Sequence, residues 1–181
     1  MSRPAPGGLE LVRGFLNTVS VDRSTDELAE PGSYLNWITG TGLPVPDVTD
    51  GGRRRAAALR DGLRGLVATH SIPRGPESQL ARTWAGIAQP VLRLDVSDDG
   101  SVALAPATVD TEEAVLASLL CHVAEATVNQ TWRRLKLCQL STCRWAFYDA
   151  SPARSAAWCT MAVCGARHKA RTYRQRRSQS H

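Results

Sequence analysis

Two cysteine pairs lie in the last quarter of the chain, within LKLCQLSTCRWAFYD (residues 135–149) and WCTMAVCGAR (residues 158–167). Each pair has the form Cys-x4-Cys, and fifteen residues separate the pairs. The four residues are Cys138, Cys143, Cys159 and Cys164. Four thiolates at tetrahedral corners are a preferred ligand set for structural zinc, and they leave no coordination position open for a catalytic water. The spacing predicts one structural Zn²⁺ on these four residues; a metal-free cysteine cluster and a disulfide pair are the alternatives.

The residues around the cysteines support a small folded module. Gly165 follows the last cysteine. Because it has no Cβ, its backbone has the freedom that a thiolate-binding turn often needs. Residues 166–177 have a helical composition, so Cys164 is expected at a helix N-terminus, where free N–H groups stabilise a thiolate. The neighbouring aromatic residues are expected to form a miniature core, with base stacking as the alternative. These aromatic residues are Trp145, Phe147, Tyr148 and Trp158.

The charge of the chain is unevenly distributed. Residues 130–181 hold eleven Arg and Lys against the single acid Asp149, whereas the first 129 residues hold sixteen acids and eleven basic residues. A basic tail on an acidic body indicates a polyanionic partner. On a helix, Arg167, Arg171 and Arg174 share one face, and phosphates would compensate their repulsion. A solvated tail that binds RNA or acidic proteins without specificity is the alternative.

The candidate nucleic-acid contacts therefore fall into two sets. The predicted C-terminal helix contributes Arg167, Lys169, Arg171, Arg174, Arg176 and Arg177. The rest of the module contributes Arg133, Arg134, Lys136, Arg144 and Arg154. Asp149 is expected to pair with an arginine or to cap the turn that follows it.

Helical patterns dominate the chain before the cysteines. Apolar residues recur at near-helical spacing over 9–21, and residues 34–38 form a short helical anchor. Residues 53–70 read as an amphipathic helix whose arginines, Arg60 among them, cover the solvent face. A further helix is expected from Pro76 to about residue 88.

A hairpin and a last helix complete this part of the chain. Residues 91–96 and 101–105 alternate with period two around Ser-Asp-Asp-Gly, which predicts a β-hairpin. Residues 110–126 predict a helix capped by Asp110, with Glu113 completing a capping box. The chain is thus predicted to have an α+β fold: a helical N-terminal domain with a small antiparallel hairpin over residues 1–130, then a four-cysteine zinc module ending in a basic helix over 131–181.

Several classes of protein are excluded by what the sequence lacks. No stretch approaches the roughly 18–20 apolar residues of a membrane helix, so no membrane partner is expected. The first thirty residues carry no apolar run that resembles a secretory signal, so we expect a cytoplasmic protein. There is no phosphate loop, no Gly-x-Ser-x-Gly and no His-Glu-x-x-His, so we do not expect an enzyme.

The cysteine segments resemble the CGNR-type zinc-finger domain over about residues 133–177. That family pairs a C-terminal four-cysteine finger with an N-terminal ABATE domain and is described as stress-induced bacterial transcription regulators. The N-terminal resemblance rests on GFLNT (residues 14–18), on LNWI (residues 35–38) and on the helix–hairpin–helix order. The resemblance implies structural zinc and DNA binding.

The sequence departs from the family pattern at three places. The Cys-Gly-Asn-Arg motif is here CGAR (residues 164–167), which lacks an amide that could touch a base. An arginine pair before Trp-Cys is replaced by Ala156 and Ala157, and Gly14 stands where the family tends to have Asp. None of these changes removes a zinc ligand, whereas the loss of cations and of an amide bears on sequence-specific reading.

The leading hypothesis is a DNA-binding transcription regulator whose N-terminal domain senses an unidentified small molecule or forms a homodimer. Asn17, Trp37 and Trp84 are candidate pocket residues, with burial in the core as the favoured alternative. Two other functions stay open. One is non-specific binding of RNA or other nucleic acid, and the other is a protein-interaction adaptor whose zinc module binds an acidic protein.

Overall fold

The computed structural model describes residues 3–44, 47–71 and 90–178. Helices and short antiparallel ladders alternate along these residues, as the predicted α+β class requires. In chain order the elements are α1 (Leu9–Leu16), β1 (Val19–Ser20), β2 (Thr25–Asp26), α2 (Pro31–Thr41), α3 (Asp50–Thr69), β3 (Leu92–Val96), β4 (Val102–Pro106), α4 (Glu112–Val128), a 3-10 turn (Trp132–Arg134), β5 (Leu135–Leu137), β6 (Ala146–Tyr148), a π-helical turn (Met161–Gly165) and α5 (Ala166–Ser178).

The strands form three separate two-stranded antiparallel ladders, β1–β2, β3–β4 and β5–β6. The predicted hairpin is confirmed as β3–β4, in which Leu94 lies opposite Leu104. The other two ladders are too short for an alternating pattern to reveal them, and the sequence did not predict them. The β5–β6 ladder matters most here because it carries the first cysteine pair on its connecting turn.

One hydrophobic core joins α1, α3 and α4 to the β5–β6 ladder. Phe15 of α1, Leu63 of α3 and Leu119 of α4 are fully buried in it. Leu135 of β5 and Ala146 of β6 are equally buried in the same cluster. The core therefore crosses the boundary predicted at residue 130, and the first hairpin of the cysteine module is built into the helical domain.

Side-chain hydrogen bonds reinforce this junction. The amide of Asn17, at the end of α1, donates to the Ala146 carbonyl at 2.9 Å and accepts from the Ala146 N–H at 2.7 Å. Arg64 of α3 donates to the carbonyls of Leu16 and Arg144 at 2.6 and 2.9 Å. Asn17 is thus a buried structural residue rather than part of a ligand pocket.

Two predictions about helix α3 and helix α4 are wrong in detail. Arg60 does not lie on the solvent face: it is 3% exposed, and its guanidinium binds the Asp26 carboxylate through contacts of 2.5 and 3.0 Å. Asp110 does not cap α4, because it lies one residue before the N-cap, with a φ of 54°. Thr111 is the N-cap, and its hydroxyl accepts from the Ala114 N–H at 3.1 Å.

Some of the remaining predictions for the N-terminal domain concern described residues, and others concern residues that the structure does not describe. Trp37 packs on Phe15 with ring centroids 5.2 Å apart, which places it at the edge of the core. The helix predicted from Pro76, with Trp84, lies outside the described residues. Among the described residues, no helix is both long enough and apolar enough to cross a membrane.

The Asn17 contact gives a direct test of the shared core. Replacing Asn17 with Ala leaves the buried N–H and carbonyl of Ala146 without partners, and each orphaned group costs about 1–3 kcal/mol. We expect Asn17→Ala to lower the free energy of unfolding by at least about 2 kcal/mol in urea titrations.

The matched control is Asn36→Ala, which removes an amide from the exposed face of α2. Exposed substitutions of this kind change stability by about 0.5 kcal/mol or less. Equal effects of the two substitutions would show that the junction does not depend on the Asn17 amide.

Candidate metal centre and basic helix

The first cysteine pair lies on the turn between β5 and β6. Cys138 follows β5, and its N–H donates to the Trp145 carbonyl at 2.9 Å. The chain then reverses tightly, because the N–H of Cys143 donates to the Leu140 carbonyl at 2.8 Å. Arg144 completes the turn in the left-handed region, with a φ of 52°. This geometry points both thiols to the same side of the hairpin.

The second pair is brought beside the first by the long loop after β6. The Gln139 N–H donates to the Ala157 carbonyl at 2.9 Å, which fixes the loop against the first turn just before Cys159. Cys164 lies in the π-helical turn that precedes α5, and its N–H donates to the Thr160 carbonyl at 3.0 Å. Cys164 therefore lies two residues before the first residue of α5, close to the helix N-terminus that was predicted for it.

Gly165 lies in a crowded part of the π-helical turn. It is not among the glycines with a positive φ, so the expected use of its backbone freedom is not seen. A Cβ on this residue would instead lie 2.4 Å from the sulfur of Met161 and 3.3 Å from the Trp158 ring. A side chain at residue 165 would therefore make the exposed Met161 side chain move and would tighten the contact with Trp158.

The four thiols fit one tetrahedral ion. Their sulfur atoms all lie within 4.8 Å of one another. The Cys143–Cys159 and Cys159–Cys164 sulfur separations are 3.7 and 3.6 Å. A tetrahedron with zinc–sulfur bonds of about 2.3 Å has edges of about 3.8 Å. Cys138, Cys143, Cys159 and Cys164 are thus positioned to hold one structural zinc, as predicted, and a bound zinc ion supplies a cross-link rather than a reactive centre.

The protonation of these thiols depends on where each one lies. Burial raises the pKa of Cys164 to about 11 and also raises the pKa of Cys159. Burial acts in the same direction on Cys138, but hydrogen bonds from the backbone N–H groups of Cys159 and Leu140 outweigh it and lower the pKa of Cys138. Zinc binding therefore has to displace protons from these thiols, and the affinity for zinc should fall as the pH falls. Burial also raises the pKa of Cys121, which lies on α4 and takes no part in this cluster.

A buried ion pair supports the loop between the two cysteine pairs. The Lys136 ammonium lies 2.8 Å from the Asp149 carboxylate, and the two residues are 4% and 1% exposed. Lys136 also donates to the Arg154 carbonyl at 2.5 Å. Asp149 accepts from the Ala156 N–H at 2.9 Å and from the N–H and hydroxyl of Ser151 at 3.0 and 2.6 Å. Burial would raise the pKa of Asp149, but these partners, Lys136 foremost, lower it to about 2.

This network corrects part of the predicted nucleic-acid surface. Lys136 was expected to contact a phosphate, but its ammonium is buried and used inside the module. Asp149 pairs with this lysine rather than with an arginine, and it does cap the turn at Ser151. Arg134 is also used internally, since its guanidinium donates to the carbonyls of Asp149 and Ser151 at 3.0 and 3.1 Å.

The other predicted contacts outside the last helix differ in exposure. Arg133 and Arg154 are exposed, whereas Arg144 is half-buried beside Arg64. Of the four aromatic residues, Phe147 is buried, and Trp145, Tyr148 and Trp158 are half-buried. Tyr148 packs on the main core and Trp158 packs against the cysteine cluster.

Helix α5 presents the remaining predicted residues to solvent. It buries none of its residues, and it carries six basic side chains and no acid. The basic residues are Arg167, Lys169, Arg171, Arg174, Arg176 and Arg177. The first turn is anchored at the cysteine cluster, where the His168 ring lies 4.6 Å from the Trp158 ring. Arg167 lies 3.5 Å from Asp22. The centre therefore holds a cationic helix by one end.

Sequence reasoning missed the residues that tie this module to the helical domain. Asn17 is 129 positions away from its partner Ala146, and Arg64 is 80 positions away from Arg144. His70, the C-cap of α3, donates through Nδ1 to the Leu135 carbonyl at 2.8 Å. No local pattern signals such distant partners.

Comparison with known families matches two models to the chain, in the order that the sequence predicted. Residues 9–131 match the model of the ABATE family, whose description is "Putative stress-induced transcription regulator". Residues 134–177 match the model described as CGNR zinc finger. A search of curated proteins found no match.

The metal centre predicts the outcome of losing one ligand. Cys159→Ser should abolish stoichiometric zinc binding, because a serine hydroxyl is a far poorer ligand than a thiolate. The loop and α5 should lose their ordered structure, while β5–β6 should stay folded within the main core. Metal content after dialysis, together with hydrogen exchange of the two regions, measures both effects. Cys121→Ala, outside the cluster, should keep its zinc. Retention of one zinc per chain by Cys159→Ser would contradict the assignment of the ligands.

The Lys136–Asp149 pair predicts a large stability effect from one buried carboxylate. Asp149→Asn leaves the Lys136 charge buried without compensation, at a cost of about 3–5 kcal/mol. Asp95→Asn is the matched control: its partner Arg93 is exposed, and such pairs contribute about 0–1 kcal/mol. Urea unfolding of both variants measures the difference.

The pH dependence of this effect has a definite sign. The pKa of Asp149 is about 2 in the folded chain and near 4 when unfolded. Its contribution is therefore complete above pH 4 and is lost as the pH falls toward 2. The stability gap between the parent chain and Asp149→Asn should narrow over that range. A gap that is independent of pH would contradict the role of the ionised carboxylate.

Proposed function

The chain belongs to the ABATE family and ends in a CGNR zinc finger, and from this premise we propose that it is a DNA-binding transcription regulator. In this proposal the zinc-bound cysteines hold helix α5 in a fixed position against the duplex. The observation that carries the proposal is the character of α5: six basic side chains, no acid and no buried residue, anchored at one end to the cysteine cluster. The four thiolates leave no open ligand position, and we propose no catalytic role.

The electrostatics of α5 support a polyphosphate partner. An exposed helix that carries six like charges repels itself, and phosphates relieve this repulsion with release of counterions. Arg167, Lys169 and Arg174 are candidates for phosphate contacts, together with Arg171, Arg176 and Arg177. Arg133 and Arg154 are exposed on the same module and are candidates for further backbone contacts. Lys136 is excluded by its burial, and Nη1 of Arg134 is occupied by internal carbonyls.

The shape of α5 favours duplex DNA over duplex RNA. It is a single helix of thirteen residues, and it stands free of the main core. The major groove of B-DNA is about 12 Å wide and admits an α-helix, whereas the deep, narrow major groove of A-form RNA does not. RNA binding and an acidic protein partner are therefore outcomes for the test rather than parts of the proposal.

The helical domain has a separate place in the proposal. The family description supports a link to stress. In the proposal, the α1–α4 domain is the part that receives the signal or forms a homodimer. Because β5–β6 is built into the core of this domain, a rearrangement of α1 or α3 would be passed to the cysteine turn. The five free cysteines suit a reducing compartment such as the cytoplasm, where thiols remain available for zinc.

Removal of two helix charges tests the proposal. Lys169→Ala combined with Arg174→Ala removes one cation from each side of α5. We expect weaker binding to all duplexes, and a slope of log affinity against log salt that is smaller by about two. Fluorescence anisotropy over a series of salt concentrations measures both quantities, with zinc content checked in parallel.

The matched control removes two exposed arginines from the helical domain. Arg54→Ala combined with Arg93→Ala changes the net charge by the same amount, and both side chains are exposed away from α5. This variant should bind DNA with a nearly unchanged salt slope. An equal loss of affinity in both variants would show that binding depends on net charge and not on the position of the charges on α5. Absence of DNA binding by the parent chain would overturn the proposed function.

A further inference from the structure

A polar cleft of about 280 Å³ lies between the first cysteine turn and helix α5. Polar side chains from both elements line it. They are Gln139 and Ser141 from the turn, and His168, Arg171, Thr172 and Gln175 from the helix. Among the described residues, no carboxylate lines this cleft, and Leu140 is the one aliphatic residue that does. We infer that this cleft reads the edges of DNA bases; the inference rests on the DNA binding proposed above.

The cleft offers hydrogen-bonding groups that the fold does not use. Within the described part of the chain, the side chains of Gln139, Ser141 and Gln175 make no hydrogen bond, and all three are exposed. The backbone that carries them is nevertheless fixed. The Gln139 N–H is bonded to the Ala157 carbonyl, and Gln175 lies two helical turns beyond the anchored His168. The backbone positions of these residues are therefore fixed, and their side chains are available to a partner.

The surface of α5 has a neutral line between two cationic rows. His168, Thr172 and Gln175 are spaced at i, i+4 and i+7, so they lie along one line of the helix. At about 100° per residue, the rows lie about 90° to either side of this line. One row consists of Arg167, Arg171 and Arg174, and the other consists of Lys169 and Arg176.

This arrangement matches a helix in the major groove. When Thr172 and Gln175 face the floor of the groove, the two cationic rows face the phosphates of opposite strands; His168 packs on Trp158 at the anchored end of the helix. Thr172 and Gln175 are about 4.5 Å apart along the helix at 1.5 Å per residue, which spans one to two base-pair steps of about 3.4 Å. Each copy of the chain should therefore read a short segment of about two base pairs.

The chemistry of the cleft favours bases over phosphates. A phosphate accepts hydrogen bonds only, so Gln139 and Gln175 could each use only the NH2 group of the amide on it. A base edge presents donors and acceptors together, and a glutamine amide can bind adenine through both of its polar atoms. Arg171, at the border of the cleft, has the forked donors that recognise guanine. The rows beside the cleft already supply the charges for phosphate contact.

The test uses the full-length, zinc-loaded chain and a random duplex library at physiological salt. The variant is Gln139→Ala combined with Gln175→Ala, both at exposed positions. The matched control is Asn36→Ala, which removes an exposed amide from α2. Each protein is used to enrich duplexes from the library. Its affinity is then measured for the duplex enriched by the parent chain and for a scrambled duplex of the same composition.

We expect the parent chain and the control to prefer the enriched duplex. The Gln139/Gln175 variant should bind the scrambled duplex within about twofold of the parent, and its preference for the enriched duplex should fall at least about tenfold, since a bidentate base contact accounts for about 5- to 150-fold discrimination. The sequences that the variant enriches should lose base preference at one or two adjacent positions.

Four other results would overturn the inference, and the first three leave the proposed DNA binding standing. An unchanged preference in the variant would show that the cleft reads no base. An equal loss on both duplexes with a smaller salt slope would assign the cleft to a phosphate. DNA binding by the parent chain without any enriched sequence would overturn base reading while DNA binding stands. Absence of DNA binding by the parent chain would overturn both proposals.

Discussion

The convergence of four thiols on one point is the constraint on which the chain beyond β6 depends. Beyond β6 the chain buries few side chains, and α5 buries none. Such a segment cannot offset the entropy of its own ordering by apolar burial. A shared metal ion between the two cysteine pairs closes the loop, and the buried Lys136–Asp149 pair fixes its interior. The direction of α5, and with it every proposed DNA contact, follows from these two links.

The second constraint is that the cysteine module does not stand alone. β5 and β6 lie in the core formed by α1, α3 and α4, and Asn17 joins α1 to β6 through both polar groups of its amide. The first cysteine turn is thus an extension of the helical domain, and only the second pair and α5 depend on the metal for their position. This junction is the physical connection between the helical domain and the helix proposed to bind DNA.

The sequence predicted those features whose signals are local. Cysteine spacing located the metal centre, period-two alternation located the β3–β4 hairpin, and charge located α5. It could not predict that Lys136 is buried, because the pairing with Asp149 depends on the β5–β6 register and on the loop after it. The burial of Arg60 likewise depends on Asp26, thirty-four positions away. A cleft formed by Gln139 and Gln175 has no sequence signature, since it exists only after the metal centre has placed the turn beside the helix.

The most direct test of the account is the affinity of the full chain for duplex DNA while zinc is removed by a chelator and then restored. The account predicts that DNA binding falls with the zinc content and returns with it, while the cooperative unfolding transition of the α1–α4 core with β5–β6 persists throughout. Affinity that does not change when the metal is removed would contradict the claim that the four-cysteine centre holds α5 for DNA binding.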